Sequence, residues 1–183
     1  MALAVFVAGT AAYADQPQPK LIIYVRNTAA VPGPVLIRAT WMAGRMFADI
    51  GISLVWANAK PAIESSQPPI FVELATATPE SLRPGALAYA LPFEGSHLTV
   101  FYDRVASIES TGILLAHVLV HEITHLLQGV DRHSATGVMK ANWNNTDYDA
   151  MRYKPLPFTA FDVQLIYSGL AGRPALVAKV ATR

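Results

Sequence analysis

Cysteine is absent from the 183-residue chain, which excludes disulfides and thiolate metal ligands. Any ion it binds must be held by histidine, carboxylate or water. Charge is scarce: Asp, Glu, Lys and Arg make up 15% of the residues, against about a quarter in ordinary domains, and the formal net charge is +1. So even a balance gives no reason to expect nucleic acid or an anionic membrane as a partner. With 52% of residues hydrophobic, a disordered chain is also excluded. The length is that of one domain and is enough to bury a real core. No internal repeat or low-complexity tract is present, and no glutamate follows Glu122.

The first fourteen residues carry no charge and end in Ala12-Tyr13-Ala14, a small-x-small pattern ahead of Asp15. That reads as a secretory signal peptide over 1–14, with a single domain over 15–183 and a secreted or periplasmic location. The apolar run is shorter than the ~20 residues a membrane span requires, so no membrane insertion is expected.

Residues 20–26 are β-branched and aromatic and predict a strand. Gly33-Pro34 opens a helix whose apolar positions Leu36, Thr40, Ala43, Phe47 and Ile50 keep helical spacing up to Gly51. Further strands are expected at 52–56, 70–74, 87–90 and 98–102, with a turn over 93–97. From Thr111 and Gly112 a long helix runs to Gln128, apolar nearly all round and therefore buried. Residues 129–157 show no clear periodicity, and loops of that length are usually functional. A last helix begins at Thr159, where Asp162 three residues on makes a capping box and Phe158 with Val163 makes a hydrophobic staple. Gly169 is positioned to close it, and the tail from Ala171 shows no pattern.

The long buried helix carries His121-Glu122-Ile123-Thr124-His125, an HExxH sequence. Two histidines four apart lie on one helical face, one turn above the other, so both imidazoles can reach one ion at ~2.0–2.1 Å. Glu122 is rotated by one residue from His121. It can meet water at the ion without ligating the ion, the geometry of a general base. Burying two imidazoles and a carboxyl among Val118, Leu119, Val120, Ile123, Leu126 and Leu127 is costly unless a metal or a hydrogen-bonded cluster satisfies them. A catalytic ion of this kind, Zn2+, needs a third protein ligand and an open position. Downstream stand Gly129, Asp131, His133 and then Gly137-Val138-Met139.

This arrangement resembles the metzincin clan of metallopeptidases, in which HExxHxxGxxH supplies three histidines and a Met-turn lies beneath the zinc. It is also similar to small secreted bacterial proteins carrying HExxH. The resemblance implies zinc on His121, His125 and His133, the base on Glu122 and the Met-turn at Met139. The spacing departs from the clan pattern: Gly129 lies four residues after His125 rather than three, and His133 eight rather than six. Asp131 occupies the clan's usual third-ligand place, where snapalysin-like peptidases use Asp, so it stands as the alternative third ligand. A distant glutamate ligand is excluded, since none exists after Glu122.

The implied fold is a mixed α/β (α+β) domain of metzincin type. A twisted mixed sheet packs on two helices, one of them the active-site helix, with the Met-turn and a C-terminal helix following. A cleft is expected along an edge strand. Peptide or protein substrate would bind there extended, adding to the sheet, and be hydrolysed. Two other readings fit the same residues: a zinc-bearing binding protein without activity, and a zinc amidase acting on cell-wall peptides. His117, one turn before His121, reads as a satisfied core histidine, and His97 as a turn residue. Tyr148 and Tyr153 are candidates to reach the cleft, with plain packing or exposure as the alternative. Trp143 reads as cover over the Met139 region.

Overall fold

A computed structural model describes residues 18–58, 65–78, 86–106 and 111–182 of the chain. The expected signal peptide lies outside the described residues. Among the described residues ten elements follow one another: β1 (Lys20–Asn27), α1 (Gly33–Ala48), β2 (Ser53–Ala57), β3 (Ile70–Ala75), β4 (Ala88–Ala90), β5 (His97–Phe101), α2 (Tyr102–Ala106), α3 (Thr111–Gln128), α4 (Asn145–Tyr153) and α5 (Ala160–Ala181). The architecture is mixed α/β. Its five-stranded sheet has the order β2-β1-β3-β5-β4, parallel throughout except for the antiparallel edge strand β4.

One face of the sheet carries the core. Registered neighbours Ile23 and Ile70, Val72 and Leu98, and Leu74 and Val100 are all buried. They pack with the inward stripe of α1 (Ala39, Ala43, Met46, Phe47) and with α3 into one cluster. The stripe on α1 follows Ala39 rather than Thr40, whose hydroxyl bonds back to the Leu36 carbonyl at 2.9 Å. The other face is more open. Tyr24, Phe71 and His97 stack in a lateral row there, with ring centroids 5.5 and 5.0 Å apart.

Helix α3 spans the predicted range, and every residue from Gly112 to Gln128 is buried. Its all-round apolar surface is used up by the sheet, α1 and α5. Among the described residues no helix is long and apolar enough to cross a membrane.

Three expectations need correcting. The segment 129–157 is not without regular structure: it holds α4, started by a reciprocal capping box between Asn144 and Asp147. His97 is no turn residue but the first residue of β5, and Tyr102 begins the short α2. Gly169 does not end the last helix. Thr159 caps α5 as expected, with Asp162 reciprocating, but the helix continues through Gly169 and Pro174 to Ala181. A Cβ on Gly169 would run into the Leu127 carbonyl, so this glycine marks where α5 crosses the end of α3. Pro174 has no N–H to offer the Leu170 carbonyl four residues back. The side chain of Gln67 supplies that hydrogen bond instead, at 3.1 Å, and the helix survives its proline.

Candidate metal centre

The helical register of α3 sets His121 and His125 one above the other, with ring centroids 4.8 Å apart. Gly129, at φ 66°, ends the helix in a left-handed turn, and its N–H bonds to the His125 carbonyl at 2.9 Å. The chain then folds back beneath the helix and supplies two carbonyls to it. Nδ1 of His121 donates to Val138 O at 2.8 Å, and Nδ1 of His125 donates to Val130 O at 3.3 Å. These bonds fix the tautomers. Each Nε2 is left with a bare lone pair, and the two nitrogens stand 3.1 Å apart.

His133 completes the group. Its ring centroid lies 5.2 Å from that of His121 and 4.9 Å from that of His125. One nitrogen from each of the three rings falls within a mutual 4.8 Å. His121 and His125 are buried, and His133 is exposed. Asp131, the alternative third ligand, does not join this set; it lies nearby on the wall of the cleft. Converging lone pairs repel unless a cation lies between them. Tetrahedral coordination at ~2.0–2.1 Å would put ligand nitrogens roughly 3.3 Å apart, so the donors present fit an ion such as zinc.

Protonation agrees with that fit. Burial, and next the neighbouring His125, lower the pKa of His121 to about 3. Burial likewise lowers that of His125. Both imidazoles are therefore neutral and free to donate electron pairs. Glu122 is also buried. Burial first and the negative Asp131 second push its pKa up to about 8, against a hydrogen bond from the Ala90 backbone. A carboxyl raised toward neutrality beside a cluster of potential ligands has the properties of a proton acceptor and donor.

No family model and no curated protein matches the chain.

Around the centre lies a cleft of about 1170 Å³. One wall is the edge strand, from Ala86 through Ala90. The floor holds His121, Glu122, His125 and His133, and the opposite wall carries Lys140, Trp143 and Tyr148. On either side of β4, Leu87 O and Leu91 N pair with β5. The alternating Ala88 and Ala90 therefore turn their backbone groups to the free edge, where the Ala90 N–H meets Glu122.

The remaining candidates divide clearly. His117 is a satisfied core histidine: Nδ1 donates to Ile113 O at 2.8 Å, and Nε2 accepts from the Leu156 N–H at 3.1 Å. Tyr148 lines the cleft, whereas Tyr153 is 91% exposed and away from it. Trp143 lines the cleft edge-on to His121, with centroids 5.6 Å apart. Met139 is fully buried next to Val138, whose carbonyl holds His121. The pair of carbonyls that orients His121 and His125 has no signal in the sequence, since no residue type betrays a carbonyl, whereas the Ala86–Ala90 wall falls on the strand expected at 87–90.

Proposed function

We propose that the protein is a zinc-dependent peptidase that hydrolyses peptide bonds in the cleft beside β4. The convergence of three imidazole nitrogens next to the buried carboxyl of Glu122 carries this reading. His121, His125 and His133 would hold a divalent ion such as Zn2+, which when bound would supply Lewis acidity toward the scissile carbonyl and acidify water. Glu122 takes the proton from the attacking water and returns it to the departing amine. Its raised pKa suits both halves of that task. The free edge of β4 aligns an extended peptide through main-chain hydrogen bonds, with Ala88 as the residue whose N–H and C=O face outward. Ala88 and Ala90, whose backbone groups face that edge, carry small side chains that leave room for the backbone of a substrate. Such a peptidase, with a removable leader over 1–14, would act outside the cytoplasm.

The Glu122→Gln variant separates chemistry from metal binding. It keeps one metal ion per chain, measured by atomic emission. It loses about 10²-fold or more of the peptide hydrolysis measured with casein and a quenched peptide library, in line with removal of a general base. A metal-loaded wild type that cleaves no peptide, or a variant as active as wild type, would sink the reading.

A further inference from the structure

Asp162 has no part in the chemistry above, yet it is fully buried, and its two oxygens face different partners. Oδ2 accepts from the backbone N–H and the hydroxyl of Thr159 at 2.9 and 2.6 Å, which is all the cap of α5 requires. Oδ1 accepts from Ser134 Oγ at 2.6 Å and from Arg132 Nη1 at 3.1 Å, and Arg132 Nη1 also reaches Ser134 Oγ at 3.3 Å. Arg132 and Ser134 are the two residues that flank His133.

His133 has most need of such support. Among the described residues, no hydrogen bond reaches either of its ring nitrogens, whereas His121 and His125 are each oriented by a carbonyl. It is exposed, so packing does not lock its ring, and it sits in a loop rather than on α3. Its place is set by the backbone on either side. Ser134 N–H bonds to Met139 O at 2.7 Å, and the side chains before and after His133 both converge on Oδ1 of Asp162. The carboxylate is ionised: burial alone would raise its pKa, but hydrogen bonds from Ser134, Thr159 and Arg132 outweigh burial and lower it. A charged acceptor makes these bonds stronger than neutral ones.

We propose that Asp162 is a positioning residue of the metal centre. Through Ser134 and Arg132 it holds the backbone of His133 so that this imidazole meets those of His121 and His125. The inference rests on the metal reading above. It assigns Asp162 two separable tasks, a helix cap through Oδ2 and ligand placement through Oδ1.

The two tasks are separated by comparing wild type with Ser134→Ala, Asp162→Asn and Thr159→Ala. Each protein is titrated with Co2+ against a competing chelator, its visible spectrum is recorded at saturation, and its Tm is measured without metal. Ser134→Ala and Asp162→Asn should bind Co2+ about 10–100-fold more weakly, the usual effect of removing a group that orients a ligand. Their spectra should change in band position and intensity as His133 leaves the ion. Thr159→Ala should lower Tm but keep wild-type affinity and spectrum. Should Asp162→Asn fail to fold, Ser134→Ala decides alone. Wild-type affinity and spectrum in Ser134→Ala would overturn the inference, as would an equal loss in Thr159→Ala. A wild type that binds no Co2+ would overturn the metal centre itself and this inference with it.

Discussion

The two helix histidines illustrate how one hydrogen bond decides what a side chain can do. A neutral imidazole has one donor and one acceptor nitrogen, and a carbonyl at Nδ1 assigns them. His117 receives the same Nδ1 treatment, but its Nε2 is answered by the Leu156 N–H, so it has nothing left to offer an ion. The third ligand is testable at the same scale. His133→Ala should reduce bound metal to well below one ion per chain after dialysis against a weak chelator, whereas Asp131→Ala should retain it. The opposite pattern would transfer the role to Asp131. Asp162 predicts a pH effect. Its native pKa lies below the unfolded value of about 3.9, so as pH falls the unfolded chain takes up this proton first. The stability it contributes is complete above that value and is lost as pH drops through the native pKa. Urea unfolding at steps from pH 6 to pH 3 should therefore show wild type losing stability more steeply than Asp162→Asn. Parallel losses would show that the native pKa is not depressed.

Among the elements, α5 is the most informative. Its buried positions Asp162, Ile166, Leu170 and Arg173 form one stripe, apolar in the middle and charged at both ends. The two glycines and the proline inside this helix would each be expected to weaken it. Gly169 is accommodated by the close crossing over Leu127 and Pro174 by the Gln67 side chain. Gly169→Ala gains helix propensity but drives a methyl into the Leu127 carbonyl. It should cost about 3 kcal/mol, at the upper end for overpacking, read from denaturant unfolding. A stabilised variant would mean that the two helices are less close than described. Because Leu127 lies in the last turn of the helix that carries His125, the same variant should also weaken metal binding.

For the molecule as a whole, the charged ends of that stripe tie α5 to two distant parts of the chain. Asp162 reaches the His133 loop. Arg173, also buried, donates to Gly95 O at 2.8 Å, Pro68 O at 2.6 Å and Pro69 O at 3.1 Å, at the beginnings of β3 and β5. Burial lowers the pKa of this guanidinium to about 10, so it remains charged at neutral pH. Removing it strands three carbonyls. Arg173→Met should destabilise the protein by about 3 kcal/mol or more in thermal unfolding, while the folded fraction keeps its metal affinity. A Tm within a degree of wild type would show that water replaces these bonds.

What could be read from sequence was local or periodic. The spacing of His121 and His125 on an apolar helix, the cap at Thr159 and Asp162, and the turn at Gly129 each depend on residues within a few positions of one another, and all three are found. The strands were legible for the same reason, because β-branched and aromatic runs suit a half-buried pleat. Helix α4 has a local signal too, the capping box between Asn144 and Asp147, but its nine residues are too few for a clear periodicity. The rest required distant parts of the chain to meet. The carbonyls of Val130 and Val138 orient two histidines, Asp162 reaches both neighbours of His133, and Gln67 repairs a proline more than a hundred residues away. Such bonds leave no trace in composition or spacing. A carbonyl belongs to every residue, and only the folded path of the chain decides which ones lie within hydrogen-bonding distance.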